Sequence, residues 1–358
     1  MAGLGAVRVL LLSVLTAAVA VAAAAAGPQP ASGLHSAPQL SELSRYVPFR
    51  DGAPAHLKAP PWPPTFPFRP TISTGESVRI NLSGTLFTID SLDDAQGWAD
   101  FFGSLVRGPE LAQVAVYVLS ENEVESVCGR RALACYVGNR LFTPAEDPSL
   151  RLSRESVAMH EYGHHVAFHR RNDPWDAIDY GPKRWASYEQ VCPKTARGRL
   201  FPGAEDADHY ERNPGEAWAE TYRVLNERHA GLVEAPWQVV TDSLYPDAPA
   251  LAAAEQDVTT PWTQRTTRTL TGSVSARSKV RTFTIATPLD GRLGVTVRLA
   301  KGERATLDVL SPQATKLAHK TAKGAFATPA SLCGSRAVRV RVTRVAGSGP
   351  FTLTIARP

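Results

Sequence analysis

The sequence predicts an α+β domain, built on a mixed sheet with helices, followed by an all-β antiparallel sandwich. Three observations carry this reading. Apolar runs of strand length are interleaved with helical patterns up to about residue 145, and helical patterns dominate from about 152 to 258. From about Leu270 the texture changes to short alternating runs, "VRTFTIAT", "RLGVTVRL", "ATLDVLS", "AVRVRVTRV" and "PFTLTIAR". Turn signals "DG", "KG" and "GSG" punctuate them, which is the pattern of a sandwich. The change falls in "WTQRTTR", so the two parts are drawn at 75–262 and 268–358.

The N-terminus reads as a targeting segment. Arg8 precedes an apolar stretch from Val9 to Ala25, and the small residues Ala24 and Ala26 suit signal-peptidase cleavage. Residues 1–26 are therefore expected to be a signal peptide, and the product to be secreted without stable membrane insertion. The alternative is an uncleaved anchor, since about 17 apolar residues is borderline for a bilayer span. Residues 27–74 are rich in proline, and "KAPPWPPTFPFRP" imposes extended backbone. This stretch is either a linker or a strap or propeptide, because Trp62, Phe66 and Phe68 are costly to leave in water.

In an oxidising compartment the four cysteines read as two disulfides. Cys128 and Cys135 flank "GRRALA", which suits a local bridge and leaves Cys192 to join Cys333; free buried thiols are the alternative. No C-x-x-C pair suggests a cysteine metal site. The net charge of +5 comes from scattered arginines with no long basic run, so no nucleic-acid partner is expected.

Within the first part, "ESVRINLSGTLFTID" reads as strand, turn and strand. Ser91 then caps a helix over "LDDAQGWADFFGSLV", with Asp94 closing a capping box. Trp98, Phe101, Phe102 and Leu105 share one face of it and are expected in the core. "AQVAVYVLS" and "LACYVGNRLFTP" read as two further strands, the second ended by Pro144. Asn81 opens an N-x-S sequon. Helices follow over "SRESVAMHEYGHHVAFHRR", capped by Ser153, over "NPGEAWAETYRVLNERH", capped by Asn213 with Pro214 in its first turn, and over "APALAAAEQ".

The first of these helices carries the chemistry. His160-Glu161-Tyr162-Gly163-His164 is an H-E-x-x-H motif. Residues four apart lie on one helical face, so His160 and His164 can grip one tetrahedral Zn2+. Glu161 lies beside that face, placed to act as general base on water. Gly163 would let a neighbouring element approach closely. His165 and His169 turn to another face and are expected to be surface or structural residues.

A third ligand is required. The H-E-x-x-H-x-x-G-x-x-H solution fails, because Ala167 and Arg170 stand at the glycine and last histidine positions. The better candidate lies on the Asn213-capped helix, where Glu216 and Glu220 are again four apart. Glu216 would bind zinc, and Glu220 would accept the other ring N–H of His160. Asp206, Asp208, His209 and Asp242 remain as alternatives.

His160-Glu161-x-x-His164 followed by Glu216-x-x-x-Glu220 resembles the gluzincin zinc metallopeptidases, and "YERNPGEAWAE" is similar to a segment of the protease domain of anthrax lethal factor. The resemblance is confined to these two patches. It implies a zincin-like fold, one catalytic zinc ion and endopeptidase activity on a peptide or protein substrate. It also implies a tyrosine just upstream of the third ligand that stabilises the oxyanion. The matching residue is Tyr210, one residue closer to Glu216 than in the family, with His209 as the alternative. The strand "CYVGNRLFTP" would align the peptide by backbone pairing. In texture the C-terminal part resembles sandwich domains appended to secreted bacterial peptidases. Two other classes stay open: a non-catalytic binding protein whose cleft the proline-rich segment blocks, and a wall- or carbohydrate-binding sandwich. The second is disfavoured because Phe283, Phe326 and Phe351 are the only aromatics after residue 270.

Overall fold

A computed structural model describes residues 63–149, 151–204, 209–237 and 242–358. The expected signal peptide, Trp62, Asp206 and Asp208 lie outside the described residues, as does the side chain of Asp242.

The first part is mixed α/β. Its sheet contains β1 (Thr65–Phe68), β2 (Arg79–Ser83), β3 (Ala115–Leu119), β4 (Cys135–Val137) and β5 (Arg140–Pro144), in the order β1-β2-β3-β5-β4. β2, β3 and β5 run parallel, and the two outer strands are antiparallel to their neighbours. Alternation along β3 splits the core. Val116 and Val118 pack with Trp98 and Phe102 of α1 (Ser91–Ser104), whereas Leu119 packs with Val124 and Val127 of α2 (Glu121–Cys128).

Four local expectations are corrected. "TLFTID" is not a strand, because β2 already has a neighbour on each side. The edge position belongs to β1, drawn from the proline-rich segment, and Pro67 is tolerated there because an edge strand can spare an N–H. Ser91 is the first helical residue rather than the cap, and its hydroxyl accepts the Thr88 N–H at 2.7 Å. The capping box comes after β3, at Ser120 and Glu123, and it opens a helix, α2, that the apolar pattern did not reveal. Finally, "CYVGNRLFTP" is a hairpin, β4 and β5, rather than one strand. Gly138 and Asn139 both have positive φ, as a two-residue hairpin turn demands.

The helical layer comprises α3 (Arg154–Phe168), α4 (Ala177–Tyr180), α5 (Lys183–Tyr188), α6 (Val191–Ala196), α7 (Pro214–His229) and α8 (Ala248–Thr259). α3 lies between the sheet and α7, with Val157, Met159, Tyr162 and Val166 fully or almost fully buried. The Ser153 hydroxyl caps α3 by accepting the Ser156 N–H, and the Asn213 side chain caps α7 by accepting the Gly215 N–H at 2.9 Å. Among the described residues no helix is long and apolar enough to cross a membrane.

The C-terminal part holds β6 (Thr266–Val274), β7 (Val280–Ala286), β8 (Gly291–Leu299), β9 (Arg304–Leu310), β10 (Lys316–Lys323), β11 (Ala325–Leu332), β12 (Ala337–Ala346) and β13 (Gly349–Arg357). They form two antiparallel sheets, β10-β9-β12-β7 and β11-β8-β13-β6, consistent with a sandwich. One core takes Leu307, Val309, Val340 and Val342 from the first sheet and Val295, Val297, Leu353 and Ile355 from the second. Phe326 and Phe351 are buried in it, so they offer no stacking face for a sugar.

Both disulfides pair as the spacing suggests, Cys128 with Cys135 and Cys192 with Cys333. The second ties α6 to the sandwich, and polar contacts reinforce the joint. Lys183 Nζ donates to the carbonyls of Asp173, at 2.6 Å, and Asp290, at 3.0 Å, while the Asp290 N–H donates to Ser187 Oγ.

Candidate metal centre

Helices α3 and α7 position the site, and one glycine sets how closely they cross. A Cβ built on Gly163 would stand 2.8 Å from the Ala219 Cα and 3.1 Å from the Tyr222 Cβ. The indole N–H of Trp218 donates to the Gly163 carbonyl at 2.8 Å and pins the same crossing. The helical cost of a mid-helix glycine, about 1 kcal/mol against alanine, is therefore offset by backbone contact between the two helices.

That contact brings together His160, His164 and Glu216. The Nε2 atoms of the two histidines are 3.3 Å apart, and Glu216 Oε2 lies 3.2 Å from His160 Nε2 and 3.5 Å from His164 Nε2. Two nitrogen ligands bound tetrahedrally at the usual zinc distance are about 3.3 Å apart. The three atoms thus outline one face of a tetrahedral site, and a nitrogen, nitrogen and carboxylate donor set suits a zinc ion. His164 is 5% exposed and Glu216 is 4% exposed, while His160 and Glu161 are fully buried.

Glu220 lies one turn along α7 and meets the other side of His160. Its Oε1 is 2.9 Å from His160 Nδ1. An ionised carboxylate only accepts, so Nδ1–H donates to Glu220, and in the neutral ring it is Nε2 that carries the lone pair on the side of Glu216 and His164. Burial acts to raise the Glu220 pKa, but the Arg223 guanidinium and His160 outweigh it and hold the carboxyl down at about 2. Glu216 is likewise held low against burial, by the two histidines. Burial acts to lower the His160 pKa, and hydrogen bonds to Glu216 and Glu220 leave it raised overall.

Tyr210, in a single helical turn before α7, is buried and donates its hydroxyl to Glu216 Oε2 at 3.0 Å. The His209 ring packs against Phe201, with ring centroids 4.0 Å apart. His165 and His169 are structural rather than exposed. His165 is buried, with Nε2 2.9 Å from the Glu110 carbonyl and Nδ1 3.1 Å from the Tyr136 hydroxyl. Burial pushes its pKa down to about 3, so it is neutral, donating from Nε2 and accepting at Nδ1. His169 Nε2 reaches Asn139 Oδ1 at 2.6 Å and ties the end of α3 to the β4–β5 turn.

Residue-by-residue reading of the sequence missed the support behind Glu220. Arg223 is fully buried and is flanked by Glu220 and Glu227 at i−3 and i+4. The signal was present as charge spacing on α7, but such spacing ordinarily marks a solvated helix face.

No protein-family model and no curated protein matches this chain. Solved structures similar to parts of it include the Yersinia pseudotuberculosis-derived mitogen, at 10% identity and a TM-score of 0.22 over 26% of this chain and 87% of that one. The pre-peptidase C-terminal domain of collagenase from Bacillus anthracis matches at 19% identity and a TM-score of 0.20, over 25% of this chain and 87% of that one. The Aeromonas hydrophila periplasmic inhibitor of g-type lysozyme matches at 17% identity and a TM-score of 0.20, over 25% and 84%. Likeness at this level carries no weight for fold family or activity.

Proposed function

We propose that this chain is an exported zinc endopeptidase whose α+β part is zincin-like, with the sandwich as an appended domain. The observation that carries the reading is the triangle of His160 Nε2, His164 Nε2 and Glu216 Oε2, with sides of 3.2 to 3.5 Å. Two disulfides fit an oxidising, extracellular setting.

A zinc ion held by these three residues would polarise the scissile carbonyl and make water more acidic. The remaining work falls to the chain. Glu161, next to His160 on α3, takes the proton from the attacking water and passes it to the leaving amine. Tyr210 turns its hydroxyl from Glu216 to the oxyanion that forms on the carbonyl oxygen. Glu220 fixes the ring orientation and tautomer of His160. An extended peptide would add to the sheet edge at β4, whose Tyr136 touches His165, the residue after His164.

The test is zinc content together with cleavage of casein or a peptide library, for wild type and Glu161→Gln. Stoichiometric zinc in both, and turnover in the wild type alone, is expected. A wild type that cleaves nothing, or a variant as active as the wild type, would sink the peptidase reading.

A further inference from the structure

Behind the metal centre, a line of buried polar groups runs along α7 and returns to the start of α3. Arg223 Nε and Nη2 donate to Glu220 Oε1 at 3.0 Å and Oε2 at 2.7 Å, a two-pronged contact that only a guanidinium makes. Its Nη1 donates to Glu227 Oε2 at 2.5 Å and to the Ala235 carbonyl at 3.2 Å. Glu227 in turn accepts from the Ser156 hydroxyl at 2.7 Å and the Ala235 N–H at 3.2 Å. Ser156 is one turn before His160 on α3, and Ser153 donates to its hydroxyl at 3.1 Å. Arg223, Glu220 and Glu227 are each 0% exposed.

We propose that Arg223 is the positioning residue of the metal centre: anchored by Glu227 and the carbonyl of Ala235, it holds the Glu220 carboxylate where it accepts from His160 Nδ1, so that His160 Nε2 is presented in one orientation beside His164 and Glu216. This rests on the metal reading above and extends it. A lone Glu220 could rotate about its three side-chain torsions, and the fork of Arg223 occupies both carboxylate oxygens and removes that freedom. The line also closes on itself through Ser156, so the α7 side chains and the α3 turn carrying His160 move together. A buried ion triad is weak evidence for stability, since apolar side chains of similar volume often serve as well. Its contact with a candidate ligand's partner gives it a role that apolar packing could not fill.

The experiment measures zinc affinity by chelator competition at one pH for the full chain. The proteins are wild type, Glu220→Gln, Arg223→Lys, Arg223→Met and the Glu220→Gln/Arg223→Met double variant, with circular dichroism checking that each is folded. Arg223→Met is expected to weaken zinc binding about 10- to 100-fold, and Arg223→Lys to fall in between because it cannot make the two-pronged contact. The double variant is expected to lose no more than the weaker of its parents, since Arg223 acts through Glu220. Losses that multiply in the double variant, or wild-type affinity in folded Arg223→Met, overturn the proposal. Should Arg223→Met not fold, Arg223→Lys and Ser156→Ala carry the test, and unchanged affinity in both overturns it. Wild-type protein that binds no zinc overturns the metal reading and this inference together. Protein that binds zinc but cleaves nothing overturns the peptidase reading alone, and the pattern of affinities above then upholds the positioning role.

Discussion

Gly163 and Ala219 mark the point where α3 and α7 touch backbone to backbone, next to His164 and within one turn of His160 and Glu216. A methyl group there has nowhere to go but into the Ala219 Cα. Gly163→Ala should therefore push the helices apart, destabilise the fold by about 1–3 kcal/mol in urea titration, and weaken zinc binding. Unchanged stability and affinity would show that the two helices do not cross this closely.

Glu216 is the candidate ligand that local sequence supports least and geometry supports most. Glu216→Ala removes the one oxygen shared by both histidines and should abolish stoichiometric zinc while leaving the helices intact by circular dichroism. Retained zinc would move the third ligand elsewhere.

Tyr210→Phe separates two roles of one hydroxyl. If that group stabilises the oxyanion, turnover falls about 10²- to 10³-fold with zinc affinity and KM little changed. A loss of zinc instead would reduce Tyr210 to a brace for Glu216.

Glu189 gives the fold a pH dependence away from the candidate metal centre. It is 8% exposed at the end of α5, and burial raises its pKa from 4.5 to about 7 although Lys194 lies 3.4 Å away. A carboxyl that holds its proton more tightly in the folded state contributes stability that is full below about pH 4.5 and lost as pH rises through about 7. Wild type should lose up to about 3 kcal/mol relative to Glu189→Gln over that window. Parallel urea midpoints from pH 4.5 to 8 would remove this account.

The two disulfides should differ in worth. Cys192–Cys333 spans 141 residues and Cys128–Cys135 spans 7. Loop-closure entropy assigns the first about 5 kcal/mol and the second about 2 kcal/mol. Paired serine substitutions compared by thermal and urea melts check the order, and a larger loss from the short loop would contradict it.

Much of this was legible before any coordinates. The H-E-x-x-H spacing placed two imidazoles on one face, and Ser153 and Asn213 marked where α3 and α7 begin, because caps and helical period act within a turn or two of backbone. Alternation revealed β7, β8, β9, β12 and β13 of the C-terminal part for the same reason, since a two-residue period is written locally, whereas β6, β10 and β11 were not read from it. The hairpin at Gly138 and Asn139 was legible too, in a Gly-Asn pair between apolar runs that was read through as one strand.

Other features depended on what each element meets. Whether "TLFTID" or "TFPF" lies beside β2 is a competition for one sheet edge, and both runs have strand character. Whether Arg223 faces water or sits buried between two glutamates depends on which side of α7 the rest of the chain covers. The sequence alone determined the two histidines, their glutamate and the helices that carry them. Only the tertiary structure decided that Glu216 Oε2 completes their triangle, because that meeting depends on the helix crossing distance set where Gly163 lies against Ala219.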